Sequence, residues 1–447
     1  MSRKSTRRIA TRALVLVFVH APSLLLAADA PLTLREAVRR AIEKAPELRA
    51  AEMRSAGARQ RERGASSPFL PSLWITTTPG YASGLPVAVA GRVPSVAGAE
   101  ASQTLYSASR RSAALDAGAA ARLLEGEAAR LRLATAREAA LAYARVALAD
   151  GRVALARRRS AALTAISRRV GARRDEGRAT ALEAARAELE EARGRHAVLD
   201  AEADRDLSRR ELARLAEMDA DSLVVLGDDA ARIRAEGGAR EAAVRAVEMD
   251  PVLRSLDEEI ALRRRSVRLL GGWFAPEVDA EAQYARLSRA NNFDEFYAKF
   301  KADDWSIGLS VAIPILTGGR RNADAGRARA ELARAESERE ARRRELEARA
   351  ERAAAERERA SAETALARRA AGLEEEALRL ANVVALEGRG DADSVELAEL
   401  ERAKADEVLA ARRADELKAE LDLLEARGEL LAVLLGPGRT GTEDRIE

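Results

Sequence analysis

Proline is absent from two long tracts of the chain, residues 95–250 and 315–436. Proline in a helix interior costs about 3 kcal/mol, and both tracts are rich in Ala, Glu, Arg and Leu, which favour helices. Near the end of the second tract a 4-3-4-3-4 spacing indicates a heptad seam, formed by Leu417, Leu421, Leu424, Gly428, Leu431 and Leu435. The tracts therefore predict very long helices. We expect these helices to lie side by side in a wall one helix thick, in a chain without a compact interior of its own.

Most of the aromatic residues lie in two windows that flank these helices, and Tyr143 is an exception within the first tract. Twelve of the chain's aromatic side chains fall in two windows: Phe69, Trp74, Tyr81 and Tyr106, then Trp273, Phe274, Tyr284, Phe293, Phe296, Tyr297, Phe300 and Trp305. Both windows alternate with period two, most clearly from Trp305 to Ile313, which predicts strand pairs within 71–106 and 276–316. Strands of a membrane barrel and ordinary half-buried hairpins both fit this pattern, and it does not separate them.

The N-terminus reads as a secretory signal. Five basic residues (Arg3, Lys4, Arg7, Arg8, Arg12) precede an apolar run from Ala13 to Ala28, which ends in small residues. We predict a signal peptide over 1–28, with a membrane anchor as the alternative. Cleavage there changes the formal net charge from +3 to −2, so the basic composition gives no support for nucleic-acid binding.

The amino-acid composition excludes several kinds of catalytic and metal-binding site. The chain has no Cys and two His, which excludes disulfides, thiolate metal sites, a cysteine nucleophile and a lipid-modified N-terminal cysteine. The pair Gly318-Gly319 lies at a strand-to-helix junction but lacks the Lys-Ser/Thr of a phosphate-binding loop. We therefore expect no catalytic residues, no cofactor and no bound metal, and we do not expect an enzyme.

The chain also repeats itself. A shift of 205 residues aligns Arg35-Glu36-Ala37 with Arg240-Glu241-Ala242 and Pro46 with Pro251, and a shift of 211 aligns Gly177 with Gly388. We predict a first structural repeat over 29–236, a second over 237–436, and a flexible tail over 437–447. Each repeat contains a short helix, a strand pair and a long helical hairpin.

Several segments resemble the TolC-like outer-membrane efflux family, the outer membrane factors. They are the opening TLREAVRRAIEKAPELRAAE, the turn FLPSL, the junction WSIGLSVAIPILTGGRRNADAGRARAELARAE and the C-terminal GRGDADSVELAELERAKAD and LLAVLLG. The resemblance implies a mixed α+β membrane fold in which long α-helical hairpins form a periplasmic α-barrel. Each protomer would give four β-strands to a trimeric 12-strand outer-membrane β-barrel. Four strands cannot close a barrel alone, although the number three comes from the resemblance.

The resemblance also implies a function. It predicts the outer-membrane channel of a tripartite efflux system, a passive exit duct for substrates delivered by an inner-membrane transporter through a periplasmic adaptor protein. The conduit of a type I protein secretion system is an alternative, and a periplasmic coiled-coil adaptor is a further one, although adaptors carry one hairpin rather than two. Localisation would be the outer membrane, extending into the periplasm.

Three sets of residues are candidates for this role. The acids after the second hairpin turn, Asp391, Asp393 and Glu396, could ring a periplasmic aperture, or simply face solvent. The turns themselves are candidate adaptor contacts, at Gly177, Arg178, Gly388 and Arg389. The tryptophans are candidate membrane-interface aromatics, with core packing as the alternative: Trp74, Trp273 and Trp305.

Overall fold

A computed structural model describes residues 31–78, 95–220, 223–225, 233–235, 237–272, 276–287, 303–387 and 392–436. The predicted signal peptide and the predicted tail lie outside these residues. Over the described part of the chain, no helix combines the length and the hydropathy needed to cross a bilayer.

Nine helices and four strands are described. The helices are α1 (Leu34–Lys44), α2 (Pro46–Ser66), α3 (Ala108–Asp175), α4 (Ala181–Ala216), α5 (Ala239–Met249), α6 (Pro251–Gly271), α7 (Arg320–Leu386), α8 (Ala392–Ala426) and α9 (Leu430–Leu435). The strands are β1 (Ser72–Thr78), β2 (Ser95–Ser107), β3 (Glu277–Leu287) and β4 (Asp303–Ala312).

The two halves have the same order of elements, which confirms the internal repeat. In each half two short helices meet at a proline, and a strand pair, a very long helix and a shorter helix follow. Pro46 and Pro251 are the first residues of α2 and α6, where a proline loses no helical hydrogen bond. In the second half the Asp250 side chain caps α6 by accepting from the backbone N–H of Leu253 at 2.7 Å.

The helices form a wall one layer thick. Helices α3 and α7 contain 68 and 67 residues, so each is about 100 Å long. The early part of α3 packs on α6, where Ser112 and Ser266 share a buried 2.6 Å hydrogen bond. Its later part packs on α4 and α8. The lower wall therefore runs in the order α4–α3–α8–α7, and the upper wall in the order α2–α3–α6–α7.

The chain does have an interior, contrary to our expectation. A cluster of buried residues lies at mid-height, where α1, α5, α9 and the segment between the repeats pack on the long helices. Tyr143 is fully buried there and donates to the backbone oxygen of Leu32 at 3.0 Å. The short elements add Leu, Val and Ile side chains to the apolar residues that the long helices contribute, among them Tyr143 and Leu421.

The predicted heptad seam is interrupted. Helix α8 ends at Ala426, and Gly428 has a φ of 72°, the left-handed conformation that favours glycine. A Cβ at Gly428 would lie 2.7 Å from the Cβ of Met249. Leu421 and Leu424 are buried on one side of this break, and α9 begins anew on the other side at Leu430.

The four strands form one antiparallel sheet in the order β1-β2-β3-β4. Each strand pairs with its neighbour in sequence, and β1 and β4 are the two edges. The alternating segments are therefore strands, and among the described residues neither edge strand has a partner on its open side.

Candidate functional site

One face of the sheet is apolar. The register β3–β4 places Ala282 opposite Ile307, Ala280 opposite Leu309 and Val278 opposite Val311. On the other side of β3, Leu73 of β1 and Ala101 of β2 continue the row of Ala282. The large residues on this face are exposed in the single chain, with Ile307 at 77% and Leu309 at 68%. An apolar face of this extent on a water-exposed sheet indicates contact with lipid or another apolar surface.

Aromatic and charged residues bound this face at the end of the sheet farthest from the helices. Tyr284 lies opposite Trp305, and the next pair outward is Arg286 and Asp303, joined by a 3.0 Å ion pair. The Tyr284 hydroxyl also donates to Asp303 at 3.0 Å. Trp305 is thus at the limit of the apolar band, the position that aromatic girdles occupy in outer-membrane barrels.

The opposite face of the sheet is polar and acidic. Its cross-strand row contains Trp74, Glu100, Gln283 and Ser306, in the order of the strands. Trp74 and Trp305 therefore lie on opposite faces, although the sequence analysis placed both in one class. Trp273, the third candidate, lies outside the described residues.

The base of the sheet is tied to α3 by a polar network on this polar face. The Thr104 hydroxyl donates to Asp279 at 2.7 Å, and the Arg110 guanidinium bonds to both side chains. The Ser107 hydroxyl caps α3 by accepting from the backbone N–H of Arg110 at 3.3 Å. These contacts fix the direction in which the long helix leaves the sheet.

The first hairpin turn lies at the far end of the wall. Gly177 has a φ of 75°, and its N–H donates to the backbone oxygen of Arg174 at 2.9 Å. Arg178 pairs with Glu176, and α4 then begins with a capping box between Thr180 and Glu183. The backbone N–H of Thr180 lowers the pKa of Glu183. In the second turn Gly388, Arg389 and Asp391 lie outside the described residues, as does the side chain of Asp393.

Glu396 is the one aperture candidate whose side chain is described. Its Oε1 accepts from Nη2 of Arg169 at 2.5 Å, its side chain is 17% exposed, and its Oε2 is buried without a hydrogen bond. The positive charge of Arg169 therefore lies directly against the Glu396 carboxylate within one protomer.

The Arg169–Glu396 pair is one of several ion pairs that join the two hairpins among the described residues. Arg159 pairs with Glu407 at 2.9 Å, and Arg137 donates to Asp422 at 2.7 Å. All three join α3 to α8. Sequence reasoning missed them because the partners are 227 to 285 residues apart.

The two edge helices of the lower wall expose leucines. On α7 the exposed residues Leu366, Leu373 and Leu380 recur every seven positions, and on α4 Leu182 and Leu189 have the same spacing. His196 continues the α4 series at the next heptad position but is 73% exposed and pairs with Asp200 at 2.8 Å. The single chain therefore leaves leucine side chains exposed on both edge helices of the lower wall, and it also has two edge strands in its described sheet.

A buried carboxylate lies between α6 and α7. Glu259 is fully buried, and its Oε1 accepts from Arg334 at 3.1 Å and from Arg263 at 3.4 Å. Burial raises the pKa of Glu259 despite these two cations. Among the described residues, no group of three or more His, Asp or Glu side chains is arranged to hold a metal ion.

Residues 242–436 match the family model of outer membrane efflux proteins. No curated protein sequence matches the chain. Several solved structures share the fold. The MtrE outer membrane channel of Neisseria gonorrhoeae is 19% identical, with 89% of each chain covered and a TM-score of 0.68. The outer membrane protein VceC of Vibrio cholerae is 18% identical over 88% of this chain and 96% of that chain (TM-score 0.68), and a membrane protein from Pseudomonas aeruginosa is 20% identical over 88% and 92% of the two chains (TM-score 0.71).

The matched part covers most of the second repeat and less than half of the chain. The whole described chain has the fold of TolC-like outer-membrane channels, so the resemblance seen in the sequence and the predicted fold class are confirmed. This family consists of passive channels rather than enzymes.

Proposed function

We propose that three copies of the mature chain close into one duct that carries substrates passively from the periplasm across the outer membrane. The sheet supports this proposal most directly. It has a lipid-compatible face, a polar face, and two edges that pair with no strand in the described part of the chain. An unpaired edge in a bilayer costs several kcal/mol for each unsatisfied backbone group, so such a sheet needs further copies.

Ring closure also accounts for the exposed leucines. The edges of the wall are different helices, α4 and α7, so contact between copies must be head to tail, which gives a ring when the rotation closes. Three copies of four strands give an even number, as bacterial barrels usually have. The leucine series of α7 would then pack on that of α4 in the next copy.

The duct works with partners at its periplasmic end. The turns at Gly177 and Arg178 and at Gly388 and Arg389 would contact a periplasmic adaptor, which links the duct to an energy-consuming inner-membrane transporter. The chain itself would supply no energy, since the outer membrane efflux proteins whose family model its second repeat matches are passive channels. The predicted signal peptide would deliver the chain to this location.

The test is to extract the mature protein in detergent, measure its mass and record its conductance in planar bilayers. We expect a trimer with ohmic single-channel currents. Leu373→Glu, at a 71% exposed edge position, should shift the mass towards monomer, because it buries a carboxylate between copies. Val408→Glu is the matched control, since Val408 is 53% exposed on α8, within the wall. A monomer without conductance contradicts the proposal.

We also propose a role for the acidic residues that follow the second hairpin turn, Asp391, Asp393 and Glu396. Asp391 and Asp393 would attract multivalent cations to a closed periplasmic end, whereas Glu396 contributes less because Arg169 pairs with it. Replacing Asp391 and Asp393 with Ala should reduce block by multivalent cations, and Glu396→Gln should change it much less. Equal effects of the two changes would show that the Arg169 pair does not neutralise Glu396.

A further inference from the structure

Trp74 is the only aromatic residue on the polar face among the described strand residues. It is 64% exposed, while its neighbours along β1, Leu73 and Ile75, point to the apolar face. The other aromatic residues described on the strands, Tyr106, Tyr284 and Trp305, share the apolar face. In a closed barrel with its apolar face toward lipid, the indole of Trp74 therefore projects into the aqueous lumen.

No packing within the sheet explains this tryptophan. On its own strand the flanking residues of the polar face are Ser72 and Thr76, and the positions beside Glu100 on β2 are Gly98 and Ser102. On the open side of β1, closure would bring the β4 edge of the next copy. The polar face of β4 offers only Asp304, Ser306, Gly308, Ser310 and Ala312, so no register would cover the indole with a large side chain.

The residue directly opposite Trp74 is Glu100. Directly paired residues on antiparallel strands have their Cβ atoms about 5 Å apart, so the indole and the carboxylate can contact one small ligand together. An aromatic face beside a carboxylate attracts organic cations, because the ring quadrupole and the negative charge act on the same positive centre.

The charge of the surrounding face favours a cation over an anion. Within the described strands the polar face contains the acids Glu100, Glu277, Asp279, Glu281 and Asp304 and no Lys or Arg. Arg286, the basic residue on β3, points to the other face and pairs with Asp303. The Arg110 guanidinium reaches this face only at its base, from α3.

We propose that Trp74 and Glu100 form a binding site for monovalent organic cations on the inner wall of the duct, near its outer end. The inference rests on the proposed function, since it requires the closed barrel. Three symmetry-related sites would line one level of the lumen and slow or select cationic substrates as they leave.

The first test is channel block in planar bilayers, with N-methylquinolinium as the cation and quinoline as its neutral counterpart, added from the extracellular side. We expect the cation to block with a lower half-blocking concentration than quinoline. Trp74→Ala should raise the half-blocking concentration of the cation about tenfold, Glu100→Gln about three- to fivefold, and Trp74→Phe less than threefold. Trp305→Ala is the control, because Trp305 is 70% exposed on the other face, and should leave the block unchanged.

An unchanged half-blocking concentration in Trp74→Ala, or an equal change in Trp305→Ala, overturns the proposal while the conducting channel still supports the duct. Fluorescence in liposomes gives a second readout that does not need conductance. With Trp273→Phe and one further Trp→Phe change, brominated lipids should quench the protein that keeps Trp305 and spare the one that keeps Trp74. The cationic quencher N-methylpyridinium should do the reverse. Quenching of Trp74 by brominated lipid refutes the lumenal position.

Discussion

The strongest prediction about stability concerns Glu420, a buried carboxylate on α8. Its Oε2 accepts from the backbone N–H of Ala235 at 2.6 Å, and its Oε1 accepts from Nε of Arg357 at 3.2 Å. Nη2 of Arg357 in turn donates to the backbone oxygen of Ala235 at 2.7 Å. One Arg–Glu pair thus holds both backbone groups of Ala235, in the segment that connects the two repeats.

The change Glu420→Ala removes two acceptors, so the buried N–H of Ala235 and the partly buried Nε–H of Arg357 lose their partner. An unsatisfied buried N–H costs about 1–3 kcal/mol, and loss of one partner of a buried ion pair costs about 3–5 kcal/mol. Because Arg357 is 28% exposed, water can solvate part of its guanidinium, so we discount the second term. We expect the local opening free energy at Ala235 to fall by about 2–3 kcal/mol, an increase of roughly 30- to 150-fold in its exchange rate.

Hydrogen exchange followed by mass spectrometry on the assembled protein measures this directly, in a peptide that contains Ala235. The control is Glu401→Ala, which removes an exposed pair with Lys404 at 2.7 Å on the same helix and should change exchange less than threefold. If Glu420→Ala leaves the Ala235 peptide within threefold of wild type, the clamp does not hold this segment. A uniform increase over all peptides would instead mean that the change acts on global stability, and would also refute the local argument.

Two further predictions concern the mid-height core and the upper wall. Gly428→Ala should lower the thermal unfolding midpoint, measured by circular dichroism, because it combines a φ of 72° with a Cβ placed 2.7 Å from that of Met249. We expect a cost of about 1–3 kcal/mol in the free energy of unfolding. The control is Gly151→Ala, since the Cβ position of Gly151 faces open space. Glu259→Gln should flatten the dependence of the unfolding midpoint on pH. Since the pKa of Glu259 is raised, the folded state keeps its proton to higher pH than the unfolded state does, and this residue's contribution to stability falls as pH rises from the ordinary value of 4.5 through the raised value. An unaltered slope in Glu259→Gln would assign the pH dependence to other groups.

The long helices and the strands could be predicted from the sequence because each depends on local chemistry. Proline-free, alanine-rich tracts strongly favour helix, and an alternation of apolar and polar residues over about ten positions indicates a strand. The turn at Gly177 follows for the same reason, since a left-handed residue at a helix end is usually glycine.

Interactions between distant segments could not be predicted in this way. With 76 Lys and Arg and 73 Asp and Glu in the chain, nearly every acid has many possible partners, and nothing local selects Arg169 for Glu396. The mid-height core was missed for a related reason. Its side chains come from short elements and long helices that are far apart in sequence, and no single periodicity connects them.

Trp74 is a different case, because the sequence contained the signal. In the stretch Leu73-Trp74-Ile75-Thr76 the tryptophan occupies the same parity as the threonine and the opposite parity from the two aliphatic residues. Grouping the tryptophans by residue type overrode this alternation. The register places Trp74 in the same cross-strand row as Glu100 and Gln283, on the polar face of the sheet.

The distribution of apolar contacts implies that the wall is not equally stable along its length. Below the mid-height core, the clusters of buried apolar residues that the structure describes are two groups of three, around Leu163 and around Leu409. Many of the other contacts there are Ala seams and ion pairs, most of them between partly or largely exposed side chains, and an exposed pair contributes about 0–1 kcal/mol. The leucines of the edge helices are the main apolar surface still available at this level, with Leu366 and Leu373 about 70% exposed. Closure of the ring should therefore stabilise the lower hairpins far more than the mid-height core, and protection from hydrogen exchange should be lost there first when the copies separate.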